Sequence, residues 1–171
     1  MNKYHFIAII GVVFLVYLNI FWNDFAIDDS KFIINWPLNQ NLSHLDQLIS
    51  GELPEGHQNA YRPIATIISA LYHQIWGTNI FFYHLAAITL HALNSILVYL
   101  LTRRLTKSSL AALIAGVIFG VHPVHVEMVT YVTASIGGLW SALFFFVSLY
   151  CYLEATGKEK LNIRYYFASI I

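Results

Sequence analysis

Apolar positions in this chain come in continuous runs separated by short polar stretches, with no alternation. The first run covers 6–22, about 17 residues, just long enough to span a bilayer. Lys3 precedes it, and the exit at 18–22 has no small-x-small cleavage site, which predicts an uncleaved signal anchor. The longest polar segment follows, over 23–79. It is turn-rich at 35–41 (NWPLNQN) and 51–56 (GELPEG). Ser43, three residues before Asp46, forms a capping-box pattern and predicts a short helix ending near Gly51. Pro63 then opens an apolar stretch, 64–76, closed by Trp76 and Gly77. It is short for a span and predicts a helix lying in the interface.

The second span is predicted over 80–101 and closes in a basic turn of Arg103, Arg104 and Lys107. The third apolar run, 109–121, is about 13 residues, short for a full crossing. It carries Gly116 and Gly120 at GxxxG spacing, which permits close helix approach. Residues 122–127 (HPVHVE) interrupt it, 128–135 is apolar again, and Gly137-Gly138 is expected to break the pattern before a span over 139–153. A charged turn, 154–164, leads into a further apolar run from 165. The fold class is all-α: a polytopic helical membrane protein with about four to five spans and an interfacial helix in the first loop. The chain reads as one transmembrane domain over 1–171, with an extracytoplasmic loop over 23–79.

Composition agrees. The 171 residues are 58% hydrophobic and 11% charged, where a soluble domain carries about 25% charged residues. Continuous runs argue against a β-barrel, and zero net charge argues against a nucleic-acid partner. Trp22, Trp36, Trp76 and Trp140 stand near predicted helix ends, as interfacial belts favour. Cys151 is the single cysteine and forms no intrachain disulfide. By span count, Lys3, the Arg103/Arg104/Lys107 turn and the Lys158/Lys160/Arg164 turn fall on one side, against Lys31 and Arg62 on the other. Basic residues mark the cytoplasmic side. The N-terminus is therefore expected in the cytoplasm, and the polar loop and the 122–127 motif outside it, in a plasma or endoplasmic reticulum membrane.

Three groups are candidates for chemistry. Asp28-Asp29 follows the first span and precedes apolar Phe32, Ile33 and Ile34. Two solvated loop carboxylates are the bland reading; a general base near the membrane surface is the sharp one. Asp29 is the favoured base, with Asp28 orienting it or binding the acceptor. His122, His125 and Glu127 combine two imidazoles and a carboxylate at the end of an apolar helix, where ionisable groups usually mark a site. Their spacing is not a recognised zinc spacing, although the residue types suit zinc. A hydrogen-bonded helix end and a substrate- or phosphate-facing role are the other two readings, the last favoured. Arg62, at a predicted helix start, either pairs with an aspartate or holds a phosphate. His84 and His91, seven apart on the second span, read as interhelical hydrogen-bonding groups.

Taken together, Asp28, Asp29 and Phe32 to Asn35 resemble the start of the GT-C membrane glycosyltransferases. Tyr61-Arg62-Pro63, Trp76-Gly77 with Asn79, Tyr83-His84-Leu85, Leu90 to Asn94, and 122–127 resemble one branch, the transmembrane and tetratricopeptide-repeat O-mannosyltransferases with their bacterial relatives. The resemblance runs from Phe25 onward. It implies a partial GT-C fold with an extracytoplasmic active face, and a polyprenyl- or dolichyl-phosphate sugar donor. It also implies a hydroxyl acceptor, often a protein Ser or Thr, and Asp28 or Asp29 as the catalytic carboxylate. Family members carry many more spans and usually a soluble repeat domain, so the chain reads as an N-terminal part. A lipid-phosphate sugar brings its own leaving group, so one base and donors for the departing phosphate suffice. Arg62, His122, His125 and Glu127 are the substrate-binding candidates. No cofactor is required, and a divalent metal is compatible. Two other classes stay open: a non-catalytic membrane module serving as anchor or assembly subunit, and a small transporter or metal-handling protein. The lack of charged residues within the spans counts against the last.

Overall fold

In the computed structural model, residues 3–26, 29–40, 42–50, 62–157 and 162–170 are described. Among them there is no strand. The helices are α1 (Lys3–Tyr17), α2 (Leu45–Ser50), α3 (Pro63–Trp76), α4 (Ile80–Thr106), α5 (Ser109–Val121), α6 (Val126–Thr130), α7 (Val132–Thr156) and α8 (Ile163–Ala168). Three stretches are long and apolar enough to cross a membrane: Lys3–Trp22, Ile80–Thr106 and Val132–Thr156. A fourth is added if the pair Ser109–Val121 and Pro123–Thr130 is one broken span. The protein is an all-α, multi-pass membrane protein.

The first unit comprises Met1–Leu18, Ile88–His125 and Ser141–Ile171. Its core is Ile9, Tyr99 and Ala112, with Phe6, Ile96, Leu100, Leu113 and Val117 around them. Gly116 and Gly120 set the helix spacing. A Cβ at Gly116 would lie 2.9 Å from Ile9 Cδ1 and 3.1 Å from the Ser95 carbonyl oxygen. A Cβ at Gly120 would lie 2.6 Å from Val13 Cγ2. The GxxxG spacing thus lets α5 press against both α1 and α4, as small residues do between membrane helices. The Ser108 hydroxyl caps α5, accepting from the Ala111 N–H at 3.2 Å. At the other end of α5, His122 is extended (ψ 129°) because the residue before a proline is driven out of the helical region.

The second unit comprises Asn19–Ala87 and Val126–Trp140. Its core is aromatic and β-branched: Ile33, Tyr72, Tyr83, Val132 and Ile136, packed by Phe25, Trp76 and Trp140. A smaller cluster of Trp36, Leu48 and Ala70 fixes α2 and α3 to the loop. The short helix predicted to end near Gly51 is α2, and the predicted 64–76 helix is α3, which starts at Pro63. The expected turn at 51–56 and Tyr61 lie outside the described residues, as do Lys158 and Lys160 of the charged turn.

Two expectations about helix limits change. Gly137-Gly138 does not break the chain; α7 runs through both. Each glycine costs a helix about 1 kcal/mol, which tertiary packing overrides. Gly138 is occupied from outside: a Cβ there would run into the Met128 sulfur. The basic turn is also shorter than expected, because α4 continues through Arg103 and Arg104 to Thr106 and leaves the turn to Lys107, at φ 59°. Cations suit a helix C-terminus, and Arg104 Nε is held by Glu154 Oε1 at 2.9 Å.

Candidate functional site

Asp29 is 1% exposed and both of its oxygens are engaged. Oδ1 accepts from the Thr133 N–H at 2.7 Å and from the Thr133 hydroxyl at 2.6 Å. Oδ2 accepts from the Val132 N–H at 3.3 Å and the Ala26 N–H at 3.2 Å. Val132 and Thr133 are the first two residues of α7. The first four N–H groups of a helix have no intrahelical acceptor, and the helix dipole favours an anion there. Asp29 therefore caps α7 from more than a hundred residues away in sequence. An ionised carboxylate offers about four acceptor positions, and here all four are filled. A π-helical turn, Ser30–Ile34, follows Asp29 directly and carries Ile33 into the core.

A base must offer a lone pair to the acceptor's proton; in the structure each Asp29 oxygen already accepts two hydrogen bonds. Asp28 lies outside the described residues. Thr133 is the residue that sequence reasoning missed. Its only signal was a threonine near a helix start, and its partner is 104 positions away.

Arg62 is exposed at the entry to α3, and among the described residues it makes no ion pair. Its guanidinium Nη1 lies 4.0 Å from where a Cβ on Gly137 would stand, against the second turn of α7. Glu127 is exposed in the first turn of α6. Tyr72, on α3, is buried, which pushes its hydroxyl up, while the Trp140 indole N–H donating at 3.1 Å pulls it back. His84 lies close to the Asn23 carbonyl, with Nε2 at 3.3 Å.

In the other unit, His122 and His125 are the polar residues lining an otherwise apolar cleft of about 430 Å³, formed with Val98, Ala115, Ile118, Phe119 and Val124. The Val124 N–H donates to His122 Nδ1 at 3.2 Å, so in the neutral ring the proton sits on Nε2. The His125 ring lies 4.4 Å from Phe119 and 5.2 Å from His91, centroid to centroid. His91 is fully buried, and its Nε2 bonds the Gly120 carbonyl at 3.0 Å, the interhelical role expected of it. Among the described residues no three His, Cys, Asp or Glu side chains gather as a metal site.

This is the architecture of a multi-pass helical membrane protein that buries a carboxylate at a helix start. Residues 45–170 match the family model for dolichyl-phosphate-mannose-protein mannosyltransferase. Over 160 residues the chain is 33% identical to protein O-mannosyl-transferase TMTC2 of Mus musculus, covering 87% of this chain and 18% of that protein. It is 27% identical to TMTC3 of Homo sapiens over 161 residues, 89% of this chain and 17% of the relative. With protein O-mannosyl-transferase F38B6.6 of Caenorhabditis elegans it shares 25% over 174 residues, 96% of this chain and 25% of the relative. No solved structure matches the chain. The chain belongs to the dolichyl-phosphate-mannose-protein mannosyltransferase family. It spans about a fifth of the length of the TMTC2 proteins it matches.

Proposed function

We propose that the protein transfers a sugar, mannose by the family's name, from a polyprenyl- or dolichyl-phosphate donor to an extracytoplasmic hydroxyl, such as a protein Ser or Thr; the relatives are named as protein O-mannosyl-transferases. The observation that carries this reading is the family match over 45–170. Asp28 is the base that takes the acceptor proton, and Asp29 is the clamp beside it. Arg62, exposed and without an ion pair among the described residues, is a donor for phosphate oxygen. Glu127 orients its loop. In the other unit, taken by itself, the apolar cleft with His122 and His125 suits an isoprenoid chain. The bias of basic residues supports an orientation with the Arg103-Arg104 end of α4 in the cytoplasm and Asp28 outside it, in the endoplasmic reticulum or plasma membrane.

The test is a choice of donor. Membranes containing the protein as expressed from its own gene are given a Ser/Thr peptide with either polyprenyl-phosphate mannose or GDP-mannose, after endogenous lipid-sugar synthesis is blocked. Labelled peptide should form from the lipid donor only. Transfer from the nucleotide sugar, or none from either, contradicts the proposal.

A further inference from the structure

We propose that Thr133 is a positioning residue for sugar transfer, acting through Asp29 on the segment that carries Asp28. The inference rests on the reading of Asp28 as the base. Thr133 supplies the two shortest of the four bonds to Asp29, its N–H at 2.7 Å and its hydroxyl at 2.6 Å. The hydroxyl distance lies in the short range typical of an O–H donating to a carboxylate. The backbone N–H is present whatever side chain stands at 133, whereas the hydroxyl belongs to threonine or serine alone.

The terminal torsion of an aspartate is broad and roughly two-fold, so a carboxylate keeps one orientation only when its partners define it. The Val132 and Ala26 N–H groups hold Oδ2 at 3.3 and 3.2 Å. Those are the longer bonds. With the Thr133 hydroxyl removed, Oδ1 keeps a single donor and the carboxylate can swing. Asp28 is joined to Asp29 by one peptide bond, and on this proposal the orientation of Asp29 is passed to its neighbour. A misplacement of about 1 Å in a reacting group can lower a rate about 10²-fold.

Valine at 133 keeps the β-branched shape and the N–H and loses only the hydroxyl; serine keeps the hydroxyl and loses a methyl. The experiment measures kcat and KM for polyprenyl-phosphate mannose and a Ser/Thr peptide with wild type, Thr133→Val, Thr133→Ser and Asp28→Asn, each matched for membrane insertion and assayed well below its melting temperature. Thr133→Val should lower kcat by about 10–100-fold with both KM values little changed, and Thr133→Ser should restore most of it. A merely structural hydroxyl would lower the melting temperature and leave kcat alone. Wild-type kcat in Thr133→Val, or equal loss in Thr133→Ser, overturns the positioning role. An inactive Asp28→Asn beside a fully active Thr133→Val removes that role and leaves the base in place. An active Asp28→Asn removes both.

Discussion

The two units differ in the charge they bury. In the first, the buried His91 and Ser95 are neutral and lean on carbonyls. His91 bonds Gly120, and the Ser95 hydroxyl donates to the His91 carbonyl at 2.8 Å. Such bonds between membrane helices contribute modestly, about 0.6 kcal/mol on average, and the unit is shaped mainly by volume, glycine against Ile9 and Val13. In the second, a carboxylate is buried and filled with donors. A buried charge without such partners costs several kcal/mol. The first unit should therefore tolerate the loss of a polar contact better than the second, while added bulk is resisted at Gly120 in one and at Gly138 in the other.

The largest expected effect is at the clamp. Asp29→Ala strands the Val132, Thr133 and Ala26 N–H groups and removes the cap of α7. It should lower stability by roughly 2–4 kcal/mol, read as a drop in melting temperature of the detergent-solubilised protein. An unchanged melting temperature would mean that water replaces the carboxylate at no loss, and the contrast between the units would fail. The next effect is on volume. Gly120→Ala places a methyl against Val13 and Ser95 and should cost about 1–3 kcal/mol by the same measurement. Gly11→Ala is the control, since a Cβ there meets nothing within 4 Å; it should be neutral or gain up to about 1 kcal/mol. Equal behaviour of the two glycine variants would show that helix approach does not depend on Gly120.

Much of this fold can be read in the chain because membrane helices announce themselves by length and continuity. The span starting at Ile80, the helix at Pro63 and the close approach at Gly116 and Gly120 all follow from local pattern. The break at His122 follows from Pro123. What local pattern does not carry is a partner far away. Gly137 and Gly138 look like an interruption until Met128 is seen to fill the space beside Gly138. Arg103 and Arg104 look like a loop until Glu154 is seen to hold Arg104 inside the helix. Asp29 reads as a candidate base from its place after a span, and nothing near it in sequence shows that Val132 and Thr133 donate to it. The candidate site was legible as residue types, and illegible in the contacts of Asp29, from which the proposed division of roles between two adjacent aspartates is drawn.

The account turns on that division, and one measurement addresses it directly: transfer rate and melting temperature together for Asp28→Asn, with polyprenyl-phosphate mannose and a hydroxyl peptide. Asparagine keeps the shape but cannot take the acceptor's proton. The account predicts a rate lowered by about 10²–10⁴-fold at an unchanged melting temperature. Near-normal transfer by Asp28→Asn would contradict it.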